Sequence, residues 1–89
     1  MPLIHDGKVI ERPVDQSTLT QRYTRQAVDF IASHKEKPFF LFMAHTFPHV
    51  PMFASADFKG KSRAGIYGDA VAELDWSVGQ VMAALRREG

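Results

Sequence analysis

Apolar positions along the chain fall into blocks of different period, and each block predicts a different element. Leu3-Ile4 and Val9-Ile10 flank Asp6-Gly7. That pair suits a two-residue type I′ turn, which needs positive φ at both central positions, so 3–10 predicts a small β-hairpin. Pro13 then marks a connector, since it has no N–H for a ladder. Tyr23, Ala27, Phe30 and Ile31 recur at helical spacing. Ser17 or Thr20 can accept an orphan backbone N–H at the start of that helix. Its end is expected near 34–36, because Lys35 and Lys37 suit a helix C-terminus and Pro38 stops it. Residues 38–44 form a continuous apolar run, which predicts a strand buried on both faces. Val71, Leu74, Val78, Val81, Met82 and Leu85 form a helical stripe, predicting a second helix from about 68 to 87 with Asp69 as N-cap. Gly79 inside it costs ~1 kcal/mol relative to Ala, which a close backbone approach by a neighbour would explain. Trp76 lies off the stripe and either covers a second surface or is exposed.

The order is hairpin, helix, buried strand, loop, helix. A strand buried on both faces needs neighbours on each side, and only the hairpin is on hand. The pattern therefore predicts an α/β architecture in which residues 1–89 are a single, incomplete domain.

Composition narrows the function classes. Eleven Lys+Arg against ten Asp+Glu leave a net charge of +1, which excludes a strongly basic nucleic-acid binder. The chain has no Cys, hence no disulfide, thiolate metal site or cysteine nucleophile. The longest apolar run, 39–44, is far below the ~20 residues that span a bilayer. Met1-Pro2-Leu3-Ile4-His5-Asp6 lacks the basic and apolar regions of a secretory signal.

Candidate chemistry is sparse. Gly60-Lys61-Ser62 resembles the end of a phosphate-binding loop, but position 55 is Ser where that pattern needs Gly. Lys59, Lys61 and Arg63 read as a solvated face. His45 and His49 are four apart, yet Pro48 disfavours a helix between them and no metalloprotease Glu follows His45. Two loop histidines packed by Phe47 and the prolines are one reading. An imidazole aimed into a cleft, donating to an anion or moving a proton, is the other. Prolines 48 and 51 stiffen the chain around His49 and favour the second, and the loop directly follows a buried strand, where α/β sheets bind ligands. Glu73 and Asp75 point in different directions on a helix, and Glu73 is expected in solvent. Ser17, Ser33, Ser55, Ser62 and Ser77 show no nucleophile-elbow pattern.

Lys37-Pro38-Phe39-Phe40-Leu41-Phe42-Met43-Ala44, His49-Val50-Pro51, Ala54-Ser55 with Phe58, Gly60 and Ser62, and Arg63-x-Gly65-x-Tyr67-Gly68-Asp69-x-Val71-x-Glu73-x-Asp75-x-Ser77-Val78-Gly79 resemble the middle of a type I sulfatase. The likeness is to the arylsulfatase A and N-acetylgalactosamine-6-sulfatase branch. The hairpin and the start of the first helix share it, so it covers essentially the whole chain. It implies sulfate-ester hydrolysis on an alkaline-phosphatase-like α/β fold. It also implies a formylglycine nucleophile made from a C/S-x-P-x-R motif and a calcium ion held by carboxylates and an amide. Of the family's site, His49 alone is carried over, matching the histidine that contacts the substrate sulfate; an N–H there can stabilise developing negative charge. His45 matches no catalytic position.

The departures are equally specific. No C/S-x-P-x-R motif, paired aspartates, Asp-Asn metal ligands or active-site lysines of the family are found here. The expectation is an internal fragment of a sulfatase domain, inactive alone, with a sulfate-ester substrate and the remainder of the domain as partners and no residue identifiable as a ligand of calcium. The alternative is a small non-catalytic module, derived from a sulfatase, that binds an anion or a protein. The family suggests the periplasm, the lysosome or the cell exterior.

Overall fold

The computed structural model describes residues 3–48 and 53–89. Strands β1 (Leu3–His5) and β2 (Lys8–Glu11) pair antiparallel, with an irregularity between Leu3 and Ile4. Asp6 and Gly7 take φ of 52° and 79°, the left-handed pair a type I′ turn demands. The hairpin predicted from Asp6-Gly7 is therefore present, although Ile4, Val9 and Ile10 are exposed.

Asp15, not Ser17 or Thr20, starts the helical region. Its carboxylate accepts from the Ser17 N–H and opens a 3-10 turn at Gln16–Thr18. Helix α1 follows directly as Leu19–Ser33 and ends at His34, near the expected stop. Ala27 and Ile31 are buried as the periodicity implies, joined by Leu19, Thr20 and Thr24.

Residues 38–47 lie in no helix and pair with no strand among the described residues, and the alternating burial of 41–47 is that of an extended segment. Alternation replaces the predicted two-sided burial. Leu41, Met43 and His45 are half-buried and Phe47 is buried, whereas Phe40 and Phe42 are 85% and 79% exposed. Leu41 to Ala44 lie beside Tyr23, Ala27 and Phe30 of α1 around an open cleft of about 530 Å³. One face of the segment thus rests on the helix, and the other is bare.

Helix α2 runs Gly65–Glu88, starting three residues before the expected Gly68. Ala64 is the N-cap. Asp69 lies inside the helix and caps a loop instead, as described below. Gly68 is held by sterics: a Cβ there would collide with the Ser62 side chain. Gly79 is not, because nothing approaches it within 4 Å. The larger correction concerns the stripe. Val71, Val78, Met82 and Leu85 are exposed; the buried face of α2 carries Asp69, Ala70, Glu73, Ser77 and Ala84. At ~100° per residue these two faces stand roughly 120° apart. Small residues let α2 lie close on α1, where Ser77 meets Thr24, while Glu73 and Asp69 turn to backbone N–H groups of the loop before α2. Trp76 is half-buried against Phe58, ring centroids 5.8 Å apart. A cluster of Val14, Leu19, Phe47 and Ala70, flanked by Leu3, Tyr23 and Phe53, ties hairpin, helices and extended segment together.

Candidate functional site

His49 lies outside the described residues, so the site can be built only from the frame on either side of it. The extended segment enters through His45 and buried Phe47, and the chain re-emerges at Phe53 and buried Ala54 and Ser55.

The entry side is fixed through His45. Its Nε2 lies 2.9 Å from Ser77 Oγ, and Ser77 Oγ lies 2.5 Å from Thr24 Oγ1. The Thr24 hydroxyl donates to the Thr20 carbonyl at 2.7 Å. A hydroxyl has one hydrogen, so Thr24 must accept from Ser77, and Ser77 must accept from the Nε2–H of His45. That assigns the tautomer and leaves the Nδ1 lone pair without a hydrogen. Partial burial holds His45 below the ordinary imidazole value, favouring the neutral ring. The interface between the helices is thus stitched by two hydroxyls that each donate one hydrogen bond and accept one.

The exit side is fixed through Glu73. The side chain expected in solvent is buried, with 2% of its surface exposed. Its Oε1 accepts from the Ser55 N–H at 2.9 Å, and its Oε2 has no hydrogen-bond partner among the described residues. Gln21 of α1 donates to Ser55 Oγ at 3.0 Å and to Asp57 at 3.2 Å, holding the same turn from the other helix.

The loop beyond is gripped by Asp69. Its two carboxylate oxygens accept from the Gly60 N–H at 2.7 Å and the Ser62 N–H at 2.8 Å. Gly60 takes φ of 78°, the left-handed region that glycine enters without strain. The Gly60-Lys61-Ser62 amides therefore serve a carboxylate of this chain, which leaves them unlike a phosphate cradle. Lys59, Lys61 and Arg63 are exposed, in keeping with a solvated face.

Sequence reasoning singled out His49 and passed over His45, Glu73 and Ser77 as chemistry. The missed signal was periodic: Asp69, Glu73 and Ser77 recur at i, i+4 and i+8, a polar stripe beside the apolar one. Among the described residues no group of three or more His, Asp or Glu side chains could hold a metal ion. The described residues thus do not fit a calcium site, and the sequence holds no residue pattern for formylglycine.

Comparison with known proteins identifies the chain. The Sulfatase family profile matches residues 4–89. Human steryl-sulfatase is 43% identical over 83 residues, which is 93% of this chain and 14% of that protein. Mouse N-acetylgalactosamine-6-sulfatase is 44% identical over 82 residues, 90% of this chain and 16% of that protein. Human arylsulfatase D is 36% identical over 87 residues, 98% of this chain and 15% of that protein. The chain spans about a seventh of the length of these relatives. With the matched profile running from the hairpin to the last residue of the chain, it belongs to the sulfatase family.

Proposed function

We propose that this chain is part of a sulfatase catalytic domain of the alkaline-phosphatase-like fold, and that it brings His49 to the sulfate of a sulfate-ester substrate. The reading is carried by the extended segment 38–47: it rests one face on α1, leaves Phe40 and Phe42 bare on the other, and leads directly to His49. A bare, apolar face on an extended segment is suited to burial under further sheet and helix. The apolar stripe of α2 supports the same reading, because Val71, Val78, Met82 and Leu85 await a cover. The relatives' names speak of steryl, N-acetylgalactosamine and aryl sulfates, so the sulfate ester is the common substrate class.

In that setting an N–H of the His49 imidazole donates to a sulfate oxygen and stabilises charge that develops as the ester bond breaks. Nucleophile and metal come from outside the described residues, and no step through them is assigned to this chain. The compartments we propose are those suggested by the family: periplasm, lysosome or the outside of the cell.

The test is co-expression of this chain with the complementing remainder of a sulfatase domain, assayed with 4-nitrophenyl sulfate. Calcium-dependent turnover that H49A abolishes is expected. Turnover that H49A leaves unchanged, or no turnover from a soluble complex, would overturn the reading.

A further inference from the structure

From Phe39 to Phe47 the odd positions are the covered ones and the even positions are exposed. Phe39 meets Phe30 edge-on with centroids 5.3 Å apart, and Leu41, Met43 and Phe47 turn inward after it. The backbone of this segment is open in a second sense. Among the described residues, no N–H or C=O of residues 39–46 has a hydrogen-bond partner in the protein. Apolar cover alone does not serve such groups, because each needs a directional partner. A row of them on an extended segment is a template for another extended chain. No residue from Pro38 to Ala44 is charged, so nothing in the row repels a copy of itself.

We propose that the segment pairs antiparallel with the same segment of a second copy, about a two-fold axis at Leu41. Such an axis makes the contact self-complementary. It sets Leu41 against Leu41 of the second copy, Phe39 against its Met43 and Phe40 against its Phe42. Covered residues then face covered ones, and each bare phenyl ring gains an aromatic partner across the pair. A pairing centred on Phe40 or Phe42 would instead leave the other ring opposite Pro38 or Ala44. Pro38 falls at the end of the pair, where its missing N–H breaks no ladder bond. Both α1 helices lie on one side of the paired segments and the phenyl rings of Phe40 and Phe42 on the other.

The area sets the strength. A Phe ring covers about 150–250 Å² when fully buried, and cross-strand pairing covers only part of each. The contact therefore stays below the ~1,200 Å² of a stable complex, and the dimer is weak. The chain is a monomer at about 5 µM and a dimer toward about 1 mM. The inference concerns the chain by itself and goes beyond the proposed function; His49 takes no part in it.

Sedimentation equilibrium and amide hydrogen exchange over that concentration range test it. The mass should rise from monomer to dimer. Exchange should slow with concentration at every other amide from Phe39 to Met43, because alternate N–H groups point to opposite edges. F40K/F42K sets like charges across the pair and should weaken association about tenfold. F40K/F42E sets opposite charges across the same register and should restore it, whereas a pairing centred on Phe40 or Phe42 would bring its like charges together. V78D, on the open face of α2, should leave association unchanged. All three positions are exposed, and circular dichroism checks helix content. Should a variant unfold, concentration-dependent exchange in the wild type still decides. A monomer at every concentration, growth past the dimer, or a dimer that V78D abolishes and F40K/F42K spares would overturn the proposal. So would a folded F40K/F42E chain that stays monomeric.

Discussion

The two faces of α2 obey opposite rules. The face carrying Asp69, Glu73 and Ser77 is polar by composition and closed, and its Asp69 and Ser77 find hydrogen-bond partners for their side-chain oxygens. The face carrying Val71, Val78, Met82 and Leu85 is apolar and open. The same contrast recurs in the extended segment, where Phe47 is buried and Phe40 and Phe42 are bare. On the closed face Asp69 and Ser77 are satisfied within the chain and Glu73 through one oxygen alone, whereas the apolar groups that need only cover lie outward. The closed face thus anchors the loop through Ser55, Gly60 and Ser62, and the open face has no cover among the described residues.

The sharpest way to break this comparison is to truncate one residue on each side. Leu19 is fully buried in the cluster with Phe47 and Ala70. L19A should cost about 2–5 kcal/mol, enough to unfold a small chain. F40A should leave the melting temperature of the isolated chain within the scatter of repeats, because there is little burial to lose. In a co-assembled domain F40A should become as damaging as a core truncation, a loss of about 3–5 kcal/mol. Equal effects of F40A in the two settings would show that this face stays open.

The hydroxyl seam ranks next. T24A or S77A alone should cost about 1–3 kcal/mol, because each leaves a buried polar partner unsatisfied. The double variant should cost less than the sum, since no orphan hydroxyl remains between them. Additive effects in thermal melts would argue that the two hydroxyls act independently.

Gly79 gives a smaller effect of opposite sign. Nothing lies near it in this chain, so G79A should stabilise the isolated chain by about 0.5–1 kcal/mol through helix propensity. In a co-assembled domain the same change should destabilise if a backbone closes on that spot. Stabilisation in both settings would leave Gly79 without a structural reason.

Local features were legible because their physics is local. Asp6-Gly7 specifies its own turn, and Ala27 and Ile31 mark the buried side of α1 through their spacing. The family was legible in the block from Pro38 to Gly79, whereas the strands that accompany the helices lie in the hairpin and not at 38–44. What failed was the inference from apolar stripe to core. Periodicity reports which face of α2 seeks cover in the environment for which the sequence is suited, and here that face is uncovered. Glu73 was misplaced for a related reason: a lone carboxylate on a helix is usually solvated, and its partner, the Ser55 N–H, is 18 positions away and invisible to any local pattern. His45 was passed over because family resemblance assigns roles by position, and its bond to Ser77 is made across 32 positions.

The smallest expected effect concerns the hairpin's attachment to α1, on the exposed side of the molecule. Arg22 donates to Glu11 at 2.9 Å, and the Asp15 N–H donates to the other Glu11 oxygen at 2.6 Å. The Arg22 hydrogen bond first, and the Asp15 amide second, hold the Glu11 carboxyl below the usual carboxylate range. A carboxyl whose folded value is depressed contributes its stabilisation above its unfolded value, and loses it as pH falls through the folded value. Acidification from pH 6 to pH 3 should therefore lower the melting temperature and loosen the hairpin from α1 before the hydroxyl seam opens. Asp15, depressed by its bonds to Ser17, and Glu88, depressed by Arg87 and Lys35, titrate with the same sign, so wild type alone cannot isolate Glu11. R22A narrows the attribution: it removes the leading cause at Glu11 and only the smallest cause at Asp15, and it leaves the Ser17 and Lys35 contacts intact. The R22A melt should fall less steeply over that pH interval, and added salt should flatten the wild-type curve toward it because the pair faces solvent. Parallel curves for R22A and wild type would mean that the hairpin is held by Leu3 against the apolar cluster and owes nothing measurable to the ion pair.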